Sequence, residues 1–408
     1  MLGLASLMAL SETAASSQSQ PSATRPHAEA SHATQESQGP LSFEIAYTAD
    51  TLTAVRGGLR NDIRYLDNLD LLLTADMERL FGLPRSTVHL YGLYNNGTGF
   101  TDGVAGDAQG ISNIETGIQA TRLYEAWLEY TGASERWSAK GGLYDLNSEF
   151  DALEASSLFM GSAHGIGTDI AQTGHNGPSI FPTTSLSLRL QAQVGDHLVW
   201  RGAVLDGVPG DPDKPTRTAI RLGSGDGALL INELDYTAGR ARLIGGVWHY
   251  TGRFENHAHD ASSEPVVSKG SNAGVYLRGE ALLGGDPEQR NARGFFRLGK
   301  ADGRFNTFSG FFSLGVTGTG MIRTRPQDET GIALAWAETS RDYQRAAGSA
   351  SGCACAGREV VLELTHRVVI NDTLAIQPNL QYVINPGLDG QADNLVAVGL
   401  RFELRYAR

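Results

Sequence analysis

Through most of this chain apolar side chains recur at every second residue, and the residues between them include arginine, glutamate and glutamine. Across 374–384 the even positions are Leu374, Ile376, Pro378, Leu380, Tyr382 and Ile384. The odd positions are Ala375, Gln377, Asn379, Gln381 and Val383. Side chains on a β-strand point to alternate faces, so this segment is a strand with one apolar and one largely hydrogen-bonding surface. The same grammar governs 359–369, where Val360, Leu362, Leu364 and Val368 oppose Glu363, Thr365 and Arg367, with His366 as a polar intruder. In 185–194, Leu186, Leu188 and Leu190 oppose Ser187, Arg189 and Gln191. Across 396–406, Val398, Leu400, Phe402 and Leu404 oppose Arg401, Glu403 and Arg405. In 122–131, Tyr124, Ala126, Leu128 and Tyr130 oppose Glu125, Trp127 and Glu129. Gly-rich turns punctuate these runs, and strong amphipathic-helix periodicity is lacking. The chain reads as all-β.

Alternation alone does not say which face is inside, because a soluble sandwich also has one polar and one apolar face. Arginine on a soluble core face is costly. A soluble chain of 408 residues would also usually divide into domains, yet no linker-like shift of composition follows residue 40. No run of about 18 apolar residues is present, so helical membrane spans are excluded while a strand-built span is not. Connection lengths add to this. The turn at Asn371, Asp372 and Thr373 is tight, whereas 337–357 and 385–393 are longer. Counted back from a periplasmic C-terminus, a membrane barrel would show this order of long, short and long.

A formal net charge of -12 argues against nucleic-acid or anionic-surface partners, which need clustered Lys and Arg. Cys353 and Cys355 sit one residue apart in a loop-like stretch and receive no role. The apolar run from Leu2 to Leu10, followed by small residues, resembles the end of a secretory signal, with cleavage fitting after Ser11 or Ala15. A positively charged leading region is missing. Residues 1–40 therefore read as a signal remnant and disordered lead-in, and 41–408 as one barrel domain.

Five separated motifs, in order, carry a resemblance to a known family: GDAQGISNIE (106–115), RLYEAWLEY (122–130), GLYDLNSEFD (142–151), NGPSIFPTTSLSLRL (176–190) and IQPNLQYVINPG (376–387). Together they resemble the carbohydrate-selective, OprB-like porins over about 41–404. The resemblance implies a transmembrane antiparallel β-barrel of about 16 strands, with long extracellular loops and an in-folded constriction loop. It implies a bacterial outer-membrane porin for passive diffusion of sugars, glucose-like monosaccharides foremost, into the periplasm. Its partners would be carbohydrates and outer-membrane lipid, with a homotrimer or a monomer both open. No cofactor and no catalytic step are expected. The alternatives are a general porin without sugar preference and an exported soluble carbohydrate-binding protein or hydrolase. The chain departs from the family in ending on LRFELRYAR, which extends past the expected aromatic-terminated closing strand.

A sugar channel needs polar and aromatic groups facing water at a narrow point. The stretch 144–185 is too long and too acidic for a plain strand, and it is expected to fold inward as the constriction. Asp145, Asn147 and Glu149 are its candidate sugar-facing groups, joined by Glu125, Trp127, Glu129, Arg189 and Gln191 on the wall. Gln377, Asn379, Gln381 and Arg401 are expected on the lumen wall, where Gln381→Arg would alter ion selectivity at little cost in stability. Glu125 and Glu129 lie about 13 Å apart along a strand, beyond the roughly 5–9.5 Å of a glycosidase carboxylate pair. The polar loop with Glu255, His257, His259 and Asp260 is a poor metal motif. The glycines of 315–320 precede no helix, so no phosphate loop is expected there, and no G-x-S-x-G elbow occurs.

Overall fold

The computed structural model describes residues 39–257, 269–287, 289–351 and 355–408. Residues 1–38, Cys353 and the His259 and Asp260 part of the polar loop lie outside the described residues. The strands are β1 (Leu41–Gly58), β2 (Ile63–Asp76), β3 (Ser86–Asn95), β4 (Ala120–Thr131), β5 (Trp137–Tyr144), β6 (Ser185–Gln193), β7 (Leu198–Asp206), β8 (Ala228–Ala238) and β9 (Ala241–Tyr250). After the two-residue pair β10 (Phe254–Glu255) and β11 (Lys269–Gly270) come β12 (Ala273–Gly285), β13 (Asn291–Ala301), β14 (Phe308–Thr319), β15 (Glu329–Thr339), β16 (Arg358–Val369), β17 (Leu374–Ile384) and β18 (Asp393–Ala407). Every strand except the β10–β11 pair belongs to one closed barrel of sixteen, in which β9 pairs directly with β12. Closure comes from antiparallel pairing of β1 with β18, with Asp50 opposite Arg401. Among the described residues none of the sixteen barrel strands has an open edge, as lipid demands.

The apolar rows point out. Leu186, Leu188 and Leu190 on β6, Leu362 and Leu364 on β16, and Val398 and Leu400 on β18 are all exposed, while Arg189, Glu363 and Arg401 between them are buried. A water-soluble sheet would show the opposite arrangement. This one fits a bilayer outside and a largely polar inner wall.

The two rims differ. One carries the connections 96–119, 145–184, 207–227 and 340–357; the other carries mostly short ones such as 132–136, 194–197 and 370–373. The last is stabilised by Asn371, whose Oδ1 accepts the N–H groups of Thr373 and Leu374 at 2.9 Å each. Short helices lie within connections, among them α1 (Met77–Phe81), capped by Asp76, and α3 (Arg341–Ser351). The short α2 (Thr168–Ala171) lies inside the barrel in 145–184.

One sequence expectation is corrected. Tyr124 was placed on the outer row of β4, yet it is buried on the inner side. Tyr91 pairs with Glu125 and Gly92 with Leu123, which leaves Tyr124 as an extra bulged residue. A bulge shifts the phase of the alternation, so Tyr124 and Glu125 both face inward.

The lipid-facing assignment has a direct consequence. Leu380→Arg is expected to cost roughly 2–4 kcal/mol if the site lies near the bilayer midplane, seen as a lower urea midpoint of the lipid-reconstituted barrel. An unchanged midpoint would contradict an outward Leu380.

Candidate functional site

The bulge on β4 is where the longest in-folded connection takes hold. Tyr124 Oη donates to Oδ2 of Asp145 at 2.7 Å, and the Asp145 N–H donates to Oε1 of Glu125 at 2.9 Å. Asp145 then turns the chain inward by accepting the Asn147 N–H on its other oxygen. Four residues on, Glu149 meets the wall. It accepts from Lys140 Nζ at 2.5 Å, from Arg189 Nε at 2.7 Å and from Tyr144 Oη at 2.9 Å. Arg189 also donates to Glu129 at 2.9 Å, and Lys140 Nζ stands 4.1 Å from the centre of the Trp127 ring. Burial acts to raise the Glu149 carboxyl, but Lys140 and Arg189 outweigh it and hold the group well below the usual carboxylate range.

Glu125, Trp127, Glu129, Asp145, Glu149 and Arg189, all expected from sequence, thus lie in one cluster. Asn147 is turned into its own loop, its amide donating to the carbonyls of Phe150 and Asp151. Gln191 accepts from Arg201 at 2.7 Å and begins a run of wall ion pairs. Arg201 contacts Glu233 and Asp235 at 3.1 Å each, and Arg242 contacts Asp235 at 2.7 Å. Lys140, Arg201 and Arg242 escaped the sequence reading, although each occupies an inward position of its strand.

On the far side of the lumen the connection is clamped by charge. Asp151 lies between Arg278, at 2.8 Å, and Arg297, at 2.8 Å, and Arg297 also reaches Asp169 at 2.6 Å. All four side chains are buried, two cations against two anions. Further along, the N–H groups of Met160 and Gly161 donate to Glu363 at 2.7 and 3.0 Å. Phe150, Phe159, Ile166 and Ile170 fill the space between with apolar packing.

A second connection, 96–119, folds in beside the first. The N–H groups of Ala108 and Gln109 donate to Glu359, and the two connections bond to each other through Asn113 N–H to Met160 and Ser162 N–H to Gly110. This accounts for the amide row of β17. Gln377 donates to the Leu158 carbonyl at 2.7 Å, Gln381 to the Ile111 carbonyl at 2.8 Å, and Asn379 to Glu363 at 2.6 Å. Arg401 grips Asp50 through two bonds of 2.8 Å and reaches Asn113. The row faces inward as expected, but it holds loops rather than standing open to water. Gln377 and Arg401 still border a cavity of about 320 Å³ on the short-turn side, with Glu154, Arg293, Arg367 and Glu403. Gln381→Arg, near-neutral in an open lumen, would here force a charge against Ile111 and displace 96–119.

Two tests follow from these contacts. Removing one member of a buried ion network costs about 3–5 kcal/mol, so Arg297→Ala is expected to loosen 145–184 and raise single-channel conductance. Unchanged conductance with a folded barrel would contradict the clamp. Burial also pushes the Glu115 carboxyl up to about 8, against lowering bonds from the Thr101 and Phe100 N–H groups. A carboxyl that binds its proton more tightly when folded loses stability as pH rises from its ordinary range through about 8. Glu115→Gln is therefore expected to lose less thermal stability than the parent between pH 5 and 8, and parallel melting profiles would refute this.

Comparison with known proteins agrees with the geometry. Porin B of Pseudomonas aeruginosa is 23% identical over 404 residues, covering 88% of this chain and 86% of that protein. The high-pH structure of Pseudomonas putida OprB superposes with a TM-score of 0.77 at 17% identity, covering 90% of this chain and 94% of that one. The outer-membrane channel DcaP of Acinetobacter baumannii superposes at 0.53 with 13% identity, over 90% of this chain and 97% of that one. Residues 60–406 match the family described as "Carbohydrate-selective porin, OprB family". A closed sixteen-stranded barrel with an apolar exterior and a match over most of its length, the chain belongs to the OprB family of carbohydrate-selective porins.

Proposed function

We propose that this porin passes neutral sugars, glucose-like monosaccharides foremost, by passive diffusion across the bacterial outer membrane into the periplasm, without a catalytic step. The observation that supports this most is the connection 145–184, tied at both sides of the lumen. It leaves a passage bordered by fixed, planar hydrogen-bonding groups and paired charges. Such groups can replace a sugar's hydration, and the Trp127 ring, stacked on His89 with Lys140 Nζ 4.1 Å from its centre, stands half-buried among them. Because the accessible charges are paired, the wall can meet hydroxyl groups without holding one ligand charge tightly.

The cluster is poorly suited to glycoside hydrolysis. A glycosidase acid needs a raised pKa and a proton to give. Glu149 is held in its ionised form by Lys140 and Arg189, and Glu129 is paired with Arg189. The general-porin reading is separated by transport alone.

In liposome-swelling measurements hexoses are expected to enter much faster than disaccharides, and faster than non-sugar solutes of equal size. Trp127→Ala is expected to weaken sugar-induced current noise while leaving the barrel folded. Rates that depend on solute size alone would replace the sugar porin with a general one.

A further inference from the structure

The geometry points to a sugar-docking subsite at the long-connection rim, set apart from the Trp127 and Glu149 cluster and built on the return limb of 145–184. It rests on the sugar-porin reading and assigns the first point of contact. A cavity of about 490 Å³ opens among the connections 96–119, 145–184 and 207–227, within the size range of small-molecule sites. Its wall includes Gln172, His175, Asn176 and Arg217.

The path of the tip that carries these groups is set by two glycines. Gly174 and Gly177 have φ of +80° and +74°, and a Cβ at Gly174 would stand 2.9 Å from the Tyr250 hydroxyl. Glycine alone fits that path without strain. Between them, His175 stacks on Phe254 with ring centres 4.6 Å apart and planes 15° from parallel. Among the described residues this is the one ring contact His175 makes, and the residue is exposed.

Hydrogen bonding then selects the ligand. The Gln172 amide donates to the Ala108 carbonyl at 2.6 Å, and the Asn176 amide to the Pro209 carbonyl at 2.7 Å. Both amide groups thereby spend a donor on the protein scaffold, and their carbonyl oxygens remain as acceptors. Arg122 shows the same economy, with donors directed to Pro182, Thr183 and Pro215. With the amide oxygens, one remaining N–H on each amide, the imidazole and the carboxyl groups of Asp102, Glu115 and Asp211, the wall is mostly acceptor and suits a ligand rich in hydroxyl donors. Arg217, exposed across the cavity, can donate to the hydroxyl oxygens in return. A hexopyranose presents both kinds of group on adjacent carbons. Docking there would raise local sugar concentration above the narrow passage only for sugar arriving from the long-connection side.

That sidedness is the test. The full chain is reconstituted in a planar bilayer, and D-glucose is added to one compartment at a time while current fluctuations are recorded. His175→Ala is expected to lower the association rate from the long-connection side about fivefold, equivalent to about 1 kcal/mol, and to leave the rate from the other side unchanged. His175→Phe keeps the stack on Phe254 but removes both nitrogens, and the same one-sided fall is expected. An equal fall from both sides, or no fall from either, with normal ion conductance, would overturn the subsite. If the parent itself shows no glucose-dependent fluctuation from either side, the sugar reading fails and the subsite fails with it.

Discussion

Irregular backbone carried into a barrel must find partners for its N–H groups, and carboxylates of the inner wall supply them here. Glu125 accepts from Asp145, Glu233 from Asp151, Glu280 from Ala155, Glu363 from Met160 and Gly161, and Glu359 from Ala108 and Gln109. The grips come from β4, β8, β12 and β16, spread around the barrel. The inner acids therefore act chiefly as clasps for two long connections.

Fixing the connections in this way decides what the lumen can be. Two apolar clusters fill much of the interior, one beneath 145–184 and one between 96–119 and the wall of β1, β16, β17 and β18. The cavity left on the short-turn side is bordered by the ion pairs of Arg293 with Glu154 and Arg367 with Glu403. That cavity is thus shaped by packing and lined by paired charge.

The strands were legible because each inward polar residue and each outward apolar residue obeys one local rule. The inward direction of Gln377, Gln381 and Arg401 came from that rule alone. Their burial could not, because it depends on Ile111, Leu158 and Asn113, more than 200 positions away in the chain. Tyr124 was misplaced for a local reason: one bulged residue resets a period of two, and nothing in RLYEAWLEY marks where the extra residue sits. The inward course of 144–185 was suggested by its length and acids. Its clamp on Arg278 and Arg297 was not, since those arginines look like any others on a polar row.

The central claim is that wall carboxylates hold the backbone of 145–184 across the lumen. Hydrogen exchange of the amides of Asp151, Ala155, Met160 and Gly161, in the lipid-reconstituted barrel, tests it most directly. The account predicts protection comparable to that of the barrel strands. Exchange as fast as in an unstructured peptide would show that the connection is not held, and would contradict it.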